Sequence, residues 1–224
     1  MIEKNIKTVL ETIKNGNNFG EKITLVGASK MMDVQTINKA IELGVKVVAE
    51  NKVQEFREKT DFIVGAEQHF IGHLQTNKVK YLVGKVALIQ SVDSIHLAQA
   101  INEQAIKKQV VQDILVEINV GGELSKSGFD FENAMNAINE IKDGFSNVRV
   151  LGLMAMLPHS DDKDLLIILC EKMRWLYDQL NNLGYGFKFL SMGMSADYEI
   201  AIKHGSNMIR LGSNIFGKRN YGEN

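Results

Sequence analysis

Short runs rich in Val, Ile and Leu alternate along this chain with longer amphipathic runs. The strand candidates are ITLVGAS (23–29), VKVVAE (45–50), QHFIG (68–72), VALIQS (86–91), DILVEINV (113–120), NVRVLGLMA (147–155), FKFLS (187–191) and NMIRLG (207–212). Helical spacing predicts helices near 33–43, 51–59, 75–83, 94–109, 130–142, 162–183 and 196–204, with a short helical tail from Ser213. Ahead of the first strand, MIEKNIKTVLETIKN places Ile2, Ile6, Val9, Leu10 and Ile13 on one helical face. The order is therefore a helix, β-α units repeated, a last strand and a tail.

Strands that alternate with helices argue for parallel pairing with right-handed crossovers. A doubly wound open sheet and a (β/α)8 barrel both fit. The strand count and a length near the barrel norm of about 250 residues favour the barrel. No strand leads into a GxGxxG turn, which weakens a dinucleotide-binding reading. The expected fold is an α/β, TIM-like (β/α)8 barrel with an extra N-terminal helix, residues 1–224 forming a single domain.

Composition narrows the function classes. The 224 residues are 45% hydrophobic and 24% charged, enough for a sizeable core. A formal net charge of −1 gives no sign of a nucleic-acid partner or an anionic membrane. The longest apolar runs, such as LLIILC (165–170), are too short to span a bilayer. The opening segment carries acids and reads as an amphipathic helix rather than a signal peptide. The single cysteine, Cys170, excludes an intrachain disulfide and suits a reducing compartment. A cytoplasmic protein is expected.

In a barrel the chemistry collects at the C-terminal ends of the strands. Those ends carry Ser29-Lys30, Glu50-Asn51, Gly72-His73, Ser91-Val92-Asp93, the segment from Met154 through Met156 to His159, SMGMS (191–195), and Arg210-Leu211-Gly212-Ser213. The turns after the last two strands are rich in small residues. Free N–H groups at such turns hold anions, and this is the usual phosphate position in barrels. A lysine at a strand end in a partly apolar pocket can act as a neutral nucleophile toward a carbonyl. Lys30 beside a phosphate cradle points to a phosphorylated aldehyde or ketone. Two candidates remain: pyridoxal 5′-phosphate (PLP) as a cofactor, or a phospho-sugar as an aldolase substrate.

The stretches LVGASK (25–30), AENKVQE (49–55), HFIGHLQTNK (69–78), INVGGELSKSGF (118–129), LGLMAM (151–156), SMGMSADYEIAI (191–202) and RLGSNIFGKR (210–219) resemble the YggS/PROSC family of PLP homeostasis proteins. The resemblance runs from about residue 20 to 221. It implies the barrel of the alanine racemase N-terminal kind, with Lys30 holding PLP as a Schiff base. Ser191, Met192, Ser195, Gly212 and Ser213 would hold the phosphate, several of them through backbone N–H groups. Arg210 would face the pyridine nitrogen, and Asn51 would lie beside the ring. The implied role is non-catalytic: buffering PLP or delivering it to PLP-dependent apoenzymes, with an effect on amino-acid pools, as a monomer or weak dimer. This chain has Ala49 where the family usually has Gly, Thr76 where Ser is common, and Ala28 where Val is frequent; none removes an implied ligand.

The residues also bear on the alternatives. An arginine opposite the pyridine nitrogen disfavours its protonation and weakens the electron sink. That suits binding or racemisation better than transamination. A racemase also needs an acid/base on the far face of the ring, and Tyr198 and Tyr221 are not obviously placed for it; Tyr198 reads as packing. A single-domain amino-acid racemase or lyase is the alternative, and a Schiff-base aldolase a further one. GSNIFGKR (212–219) nearly matches a P-loop, but Arg219 replaces the required Ser/Thr. His69, His73, His96, His159 and His204 lack metal-ligand spacing. His73 is either a pocket residue or a structural one, and Lys126 is either exposed or involved in PLP exchange. Cys170 reads as a buried hydrophobe, and Met154, Met156, Met192 and Met194 as walls of the barrel mouth.

Overall fold

The computed structural model describes residues 1–123 and 126–217. Arg219 and Tyr221 lie outside them. Among the described residues there are nine strands: β1 (Thr24–Ala28), β2 (Val47–Glu50), β3 (Glu67–Phe70), β4 (Leu88–Val92), β5 (Gln112–Asn119), β6 (Phe129–Asp130), β7 (Val148–Ala155), β8 (Phe189–Ser191) and β9 (Met208–Leu211). Every pairing is parallel, and eight strands run in the order β1-β2-β3-β4-β5-β7-β8-β9. β9 returns to β1 with Val26 beside Arg210, which closes the barrel. The alternation of strands and helices thus predicts the fold correctly. β6 was not expected. It pairs Phe129 with Ile118 and Asp130 with Asn119, extending the sheet at one end of β5.

The helices are α1 (Ile2–Ile13), α2 (Val34–Glu42), α3 (Val53–Lys59), α4 (Ile95–Lys108), α5 (Ala134–Gly144), α6 (Lys163–Asn182), α7 (Tyr198–Lys203) and α8 (Ser213–Phe216). Side-chain oxygens of Asp33, Ser94 and Asp162 accept the N–H of Thr36, Leu97 and Leu165, fixing where α2, α4 and α6 begin. The helix expected over 75–83 is instead a 3-10 helix, Thr76–Tyr81. Its first turn has no side-chain cap, and its bonds Lys78 N–H to Gln75 O and Leu82 N–H to Val79 O skip only three residues. α1 buries Ile6, Val9 and Ile13 in one cluster with α2, α7 and α8, and Asn5 Nδ2 donates to Ile215 O at 3.2 Å.

Alternation along each strand divides the core. Leu25 and Val48 face the helices around α2, and Ile89, Ile114 and Leu190 face the larger helical layer. Val26, Val47, Ala49, Leu88, Leu115, Met154 and Met208 fill the barrel interior. Because both strand faces are covered, the strands read as continuous apolar runs. No helix of the described residues is long and apolar enough to cross a membrane. Leu115 is fully buried at the barrel's centre. Leu115→Ala is expected to cost about 2–5 kcal/mol, measured by chemical denaturation; a loss below about 1 kcal/mol would mean the interior is loosely packed.

Candidate functional site

A cavity of about 730 Å³ opens at the C-terminal ends of the strands. Lys30, Asn51, Ser195, Arg210, Gly212 and Ser213 line it together, with Ala28, Ile71, Gly72, His73, Met156, Met194 and Ala196. Sequence positions near 30, 50, 72, 195 and 211 thus meet on one rim. A side pocket of about 110 Å³ is lined by Glu117, Lys126 and Ser127, and it shares Ile71, His73 and Met156 with the cavity.

Lys30 follows β1 in a tight turn closed by Met32 N–H to Ser29 O at 3.0 Å. The hydrogen bonds of this turn belong to its neighbours. Ser29 Oγ lies 2.8 Å from Glu50 Oε1 and 3.1 Å from Ala49 O, and Met31 N–H donates to Glu55 Oε2 at 2.7 Å. Lys59 Nζ joins both carboxylates, at 3.0 Å from Glu50 Oε1 and 2.7 Å from Glu55 Oε2. Burial raises the Glu50 pKa against the opposing pull of Lys59. Burial also pushes Glu55 upward, but the bonds from Lys59 and Met31 outweigh it, and its pKa falls below the ordinary value.

Asn51 presents a buried side-chain Oδ1 with no partner among the described residues. An unmet acceptor in a cavity wall is costly unless a ligand or water donates to it. Gly72 packs on the same residue, where a Cβ would sit 2.0 Å from Asn51 O. Across the cavity, Met194 N–H donates to Asp197 Oδ1 at 2.6 Å and Asp197 N–H to Met194 O at 3.1 Å. This turn leaves the N–H groups of Ser195 and Ala196 without partners among the described residues. Gly193, at φ 99°, lets the chain make that turn, since a Cβ there would meet Ala201 and Tyr198. Gly212 precedes the short α8, whose first N–H groups have no intrahelical acceptor.

Arg210 is only 5% exposed. Its Nη1 donates to Ser191 Oγ at 2.6 Å and its Nη2 to Ala155 O at 2.9 Å. Burial pulls its pKa down to about 10, while Glu117 and Asp197 act to hold it up. The Ser191 hydroxyl then donates to Gln90 Oε1 at 2.7 Å, and Gln90 Nε2 faces His69 Nδ1 at 3.0 Å. The amide donates there, so His69 Nδ1 is unprotonated. Burial agrees, pushing the His69 pKa down to about 4. Ser191 therefore lies beneath the cavity with its hydroxyl committed. Met192 is fully buried toward the helices, and its N–H is taken by Met208 O at 3.1 Å. Neither residue lines the cavity.

Sequence reasoning passes over Gln90 and Glu117 and weighs His69 only for metal-ligand spacing, although all three belong to the polar set. The available signal was a polar residue inside an apolar run, as in DILVEINV. Of the methionines expected at the mouth, Met156 and Met194 line the cavity; Met154 is in the barrel interior and Met192 in the helical layer. His73 lines both pockets and lies 3.2 Å from Asp93. Lys126 Nζ contacts Leu157 O at 3.2 Å and Glu123 Oε1 at 2.6 Å. Tyr198 is buried in the core shared by α1, α2, α7 and α8, and Cys170 is buried, its thiol pKa pushed up to about 12. Among the described residues, no group of three or more His, Cys, Asp or Glu side chains could hold a metal ion.

Gly72→Ala must move the Asn51 backbone and should cost about 1–3 kcal/mol in denaturation; unchanged stability would show that the two strand ends part freely. The Glu117 carboxyl is raised to about 7, first by burial and then by Asp93, with Arg210 opposing. Its folded pKa exceeds its unfolded value, so the folded chain holds the extra proton between about pH 4.5 and 7. Glu117's contribution is therefore complete below that window and is lost as pH rises through it. Stability compared across the window should fall less steeply in Glu117→Gln than in the parent; identical slopes would reject the assignment.

The family described as "Alanine racemase, N-terminal domain" matches residues 2–220. A pyridoxal phosphate homeostasis protein of Aquifex aeolicus is 42% identical over 219 residues, covering 96% of this chain and 94% of that protein. One from Haemophilus influenzae is 32% identical, covering 99% and 94%. Among solved structures, an unknown protein from Bifidobacterium adolescentis superposes with a TM-score of 0.89 at 29% identity, covering 96% and 94%. PipY of Synechococcus elongatus with PLP bound gives 0.84 at 24% identity, covering 97% and 100%, a likeness of fold. On these matches, and with a parallel barrel whose rim gathers a lysine and two small-residue turns, the chain belongs to the family of pyridoxal phosphate homeostasis proteins built on the alanine racemase N-terminal domain.

Proposed function

We propose that this chain binds PLP covalently through Lys30 and serves in PLP homeostasis, holding the cofactor or delivering it to PLP-dependent apoenzymes. The observation that carries this reading is the joint placement of Lys30, the unpaired N–H groups of Ser195 and Ala196, and the unmet Asn51 Oδ1 around one cavity. The cavity falls within the size range of small-ligand sites, about 300–1,000 Å³. When bound, PLP supplies an aldehyde that condenses with a primary amine, releasing water, and a ring that withdraws electrons. The names and titles of the relatives support the same ligand.

Each wall has a task in this reading. The N–H groups of the Ser195–Ala196 and Gly212–Ser213 turns would hold the phosphate, and Asn51 would lie beside the ring. Ser191 and Met192 contribute by fixing the barrel wall beneath, since their polar groups are already satisfied. Arg210 would face the pyridine nitrogen, where a cation disfavours ring protonation. A weak electron sink supports a non-catalytic carrier, as do relatives named for homeostasis. The protein acts in the cytoplasm as a single-domain monomer or weak dimer. The racemase alternative gains nothing from Tyr198, which is buried in the core around α1, α2 and α8 and does not line the cavity.

The test is the visible absorption of the purified protein with added PLP, followed by borohydride reduction and peptide mass. A new band and an adduct on Lys30, both absent in Lys30→Ala, are expected. Absence of any Lys30 adduct in the parent would reject the reading. Steady turnover of an amino acid, lost in Lys30→Ala, would reject the non-catalytic role.

A further inference from the structure

Lys30 sits between two residues that are unusually constrained. Ser29 is fully buried, and its hydroxyl is committed to Glu50 and Ala49. Met31 adopts φ 63°, a left-handed conformation at the third position of a turn where glycine is favoured. Its side chain is 54% exposed, so packing does not enforce that backbone. Its N–H donates outside the turn, to Glu55 Oε2 of α3, at 2.7 Å. Glu55 is held in turn by Lys59 one helical turn later, and Lys59 reaches Glu50 and, at 3.4 Å, Ser29 O. One compact ion cluster, its side chains 3–18% exposed, therefore grips the chain on both sides of the lysine. Backbone strain beside a reactive group persists only where surrounding structure holds it.

We infer that Glu55, braced by Lys59 and Glu50, is a positioning residue that clamps the Met31 backbone in its left-handed turn and thereby aims the Lys30 amine into the cavity. This rests on the PLP reading above. Glu55 does not line the cavity, so it acts through the turn rather than on the ligand. Glu50 adds a second link, because it directly precedes Asn51 in the opposite wall.

The experiment uses the full chain as Glu55→Ala, Glu55→Gln and the double variant Glu55→Ala with Met31→Gly. Three quantities are read on each: the rate at which added PLP becomes borohydride-trappable on Lys30, amide exchange of Met31 in ligand-free protein, and thermal stability. Glu55→Ala should slow capture about tenfold and speed Met31 exchange about as much. Glu55→Gln keeps an acceptor for the Met31 N–H and should stay within about threefold of the parent. Glycine takes the left-handed turn without strain, so the double variant should recover most of the capture rate. Parent-like capture in Glu55→Ala would overturn the proposal. So would a deficit that Met31→Gly fails to repair and that follows thermal stability alone. If the parent captures no PLP, the cofactor reading fails by itself; Met31 exchange then judges the clamp, and unchanged exchange in Glu55→Ala overturns it.

Discussion

The guanidinium of Arg210 is the group around which the upper half of the barrel is arranged. A charge taken out of water costs several kcal/mol unless partners replace its hydration. Here Ser191 Oγ and Ala155 O accept two of its N–H groups, and Glu117 and Asp197 supply opposite charge. Each partner creates a further demand. Ser191 must place its own proton, which Gln90 takes, and Gln90 must place its amide hydrogens, which calls for an unprotonated His69. The barrel thus has an apolar lower layer of Val26, Val47, Leu88, Leu115 and Met208 and a polar layer above it. Satisfying the first buried cation fills the barrel wall with directed hydrogen bonds, and those bonds fix the floor of the cavity.

Because Arg210 belongs to β9 and its partners to β5, β7, β8 and the turn before α7, the network also fastens separate strands together. Lys30 is outside this network. It is served by a separate cluster of Glu50, Glu55 and Lys59 from β2 and α3. The cavity is therefore supported from two sides by independent sets of charges.

The architecture was legible because parallel strands buried on both faces leave an unmistakable alternation of apolar and amphipathic runs. β6 escaped notice because two residues, Phe129 and Asp130, make no run at all. The 75–83 segment looked helical by spacing, but Val79 and Leu82 stand three apart and fit the tighter 3-10 winding. In the site, strand ends could be read as a common rim, which gathers Lys30, Asn51, Arg210 and Ser213. Depth along a strand could not be read. Ser191 and Ser195 belong to one small-residue stretch, yet one faces Gln90 inside the barrel and the other lines the cavity. Glu117 is not legible in sequence because a single acid in an apolar strand does not reveal which face of the strand turns inward.

The closure of β9 onto β1 also governs when the site can exist. The cavity walls come from residues 28–73, from Met156 and from residues 194–213, with more than half of the chain between the first segment and the last. Contacts so distant in sequence form late, because loop closure must precede them. On a ribosome, β1 to β8 can be synthesised while the lysine turn still lacks its opposite wall. Only when the segment through Ser213 is available does the pocket come into being. A partly made chain therefore presents Lys30 without the turns of residues 194–213 opposite it.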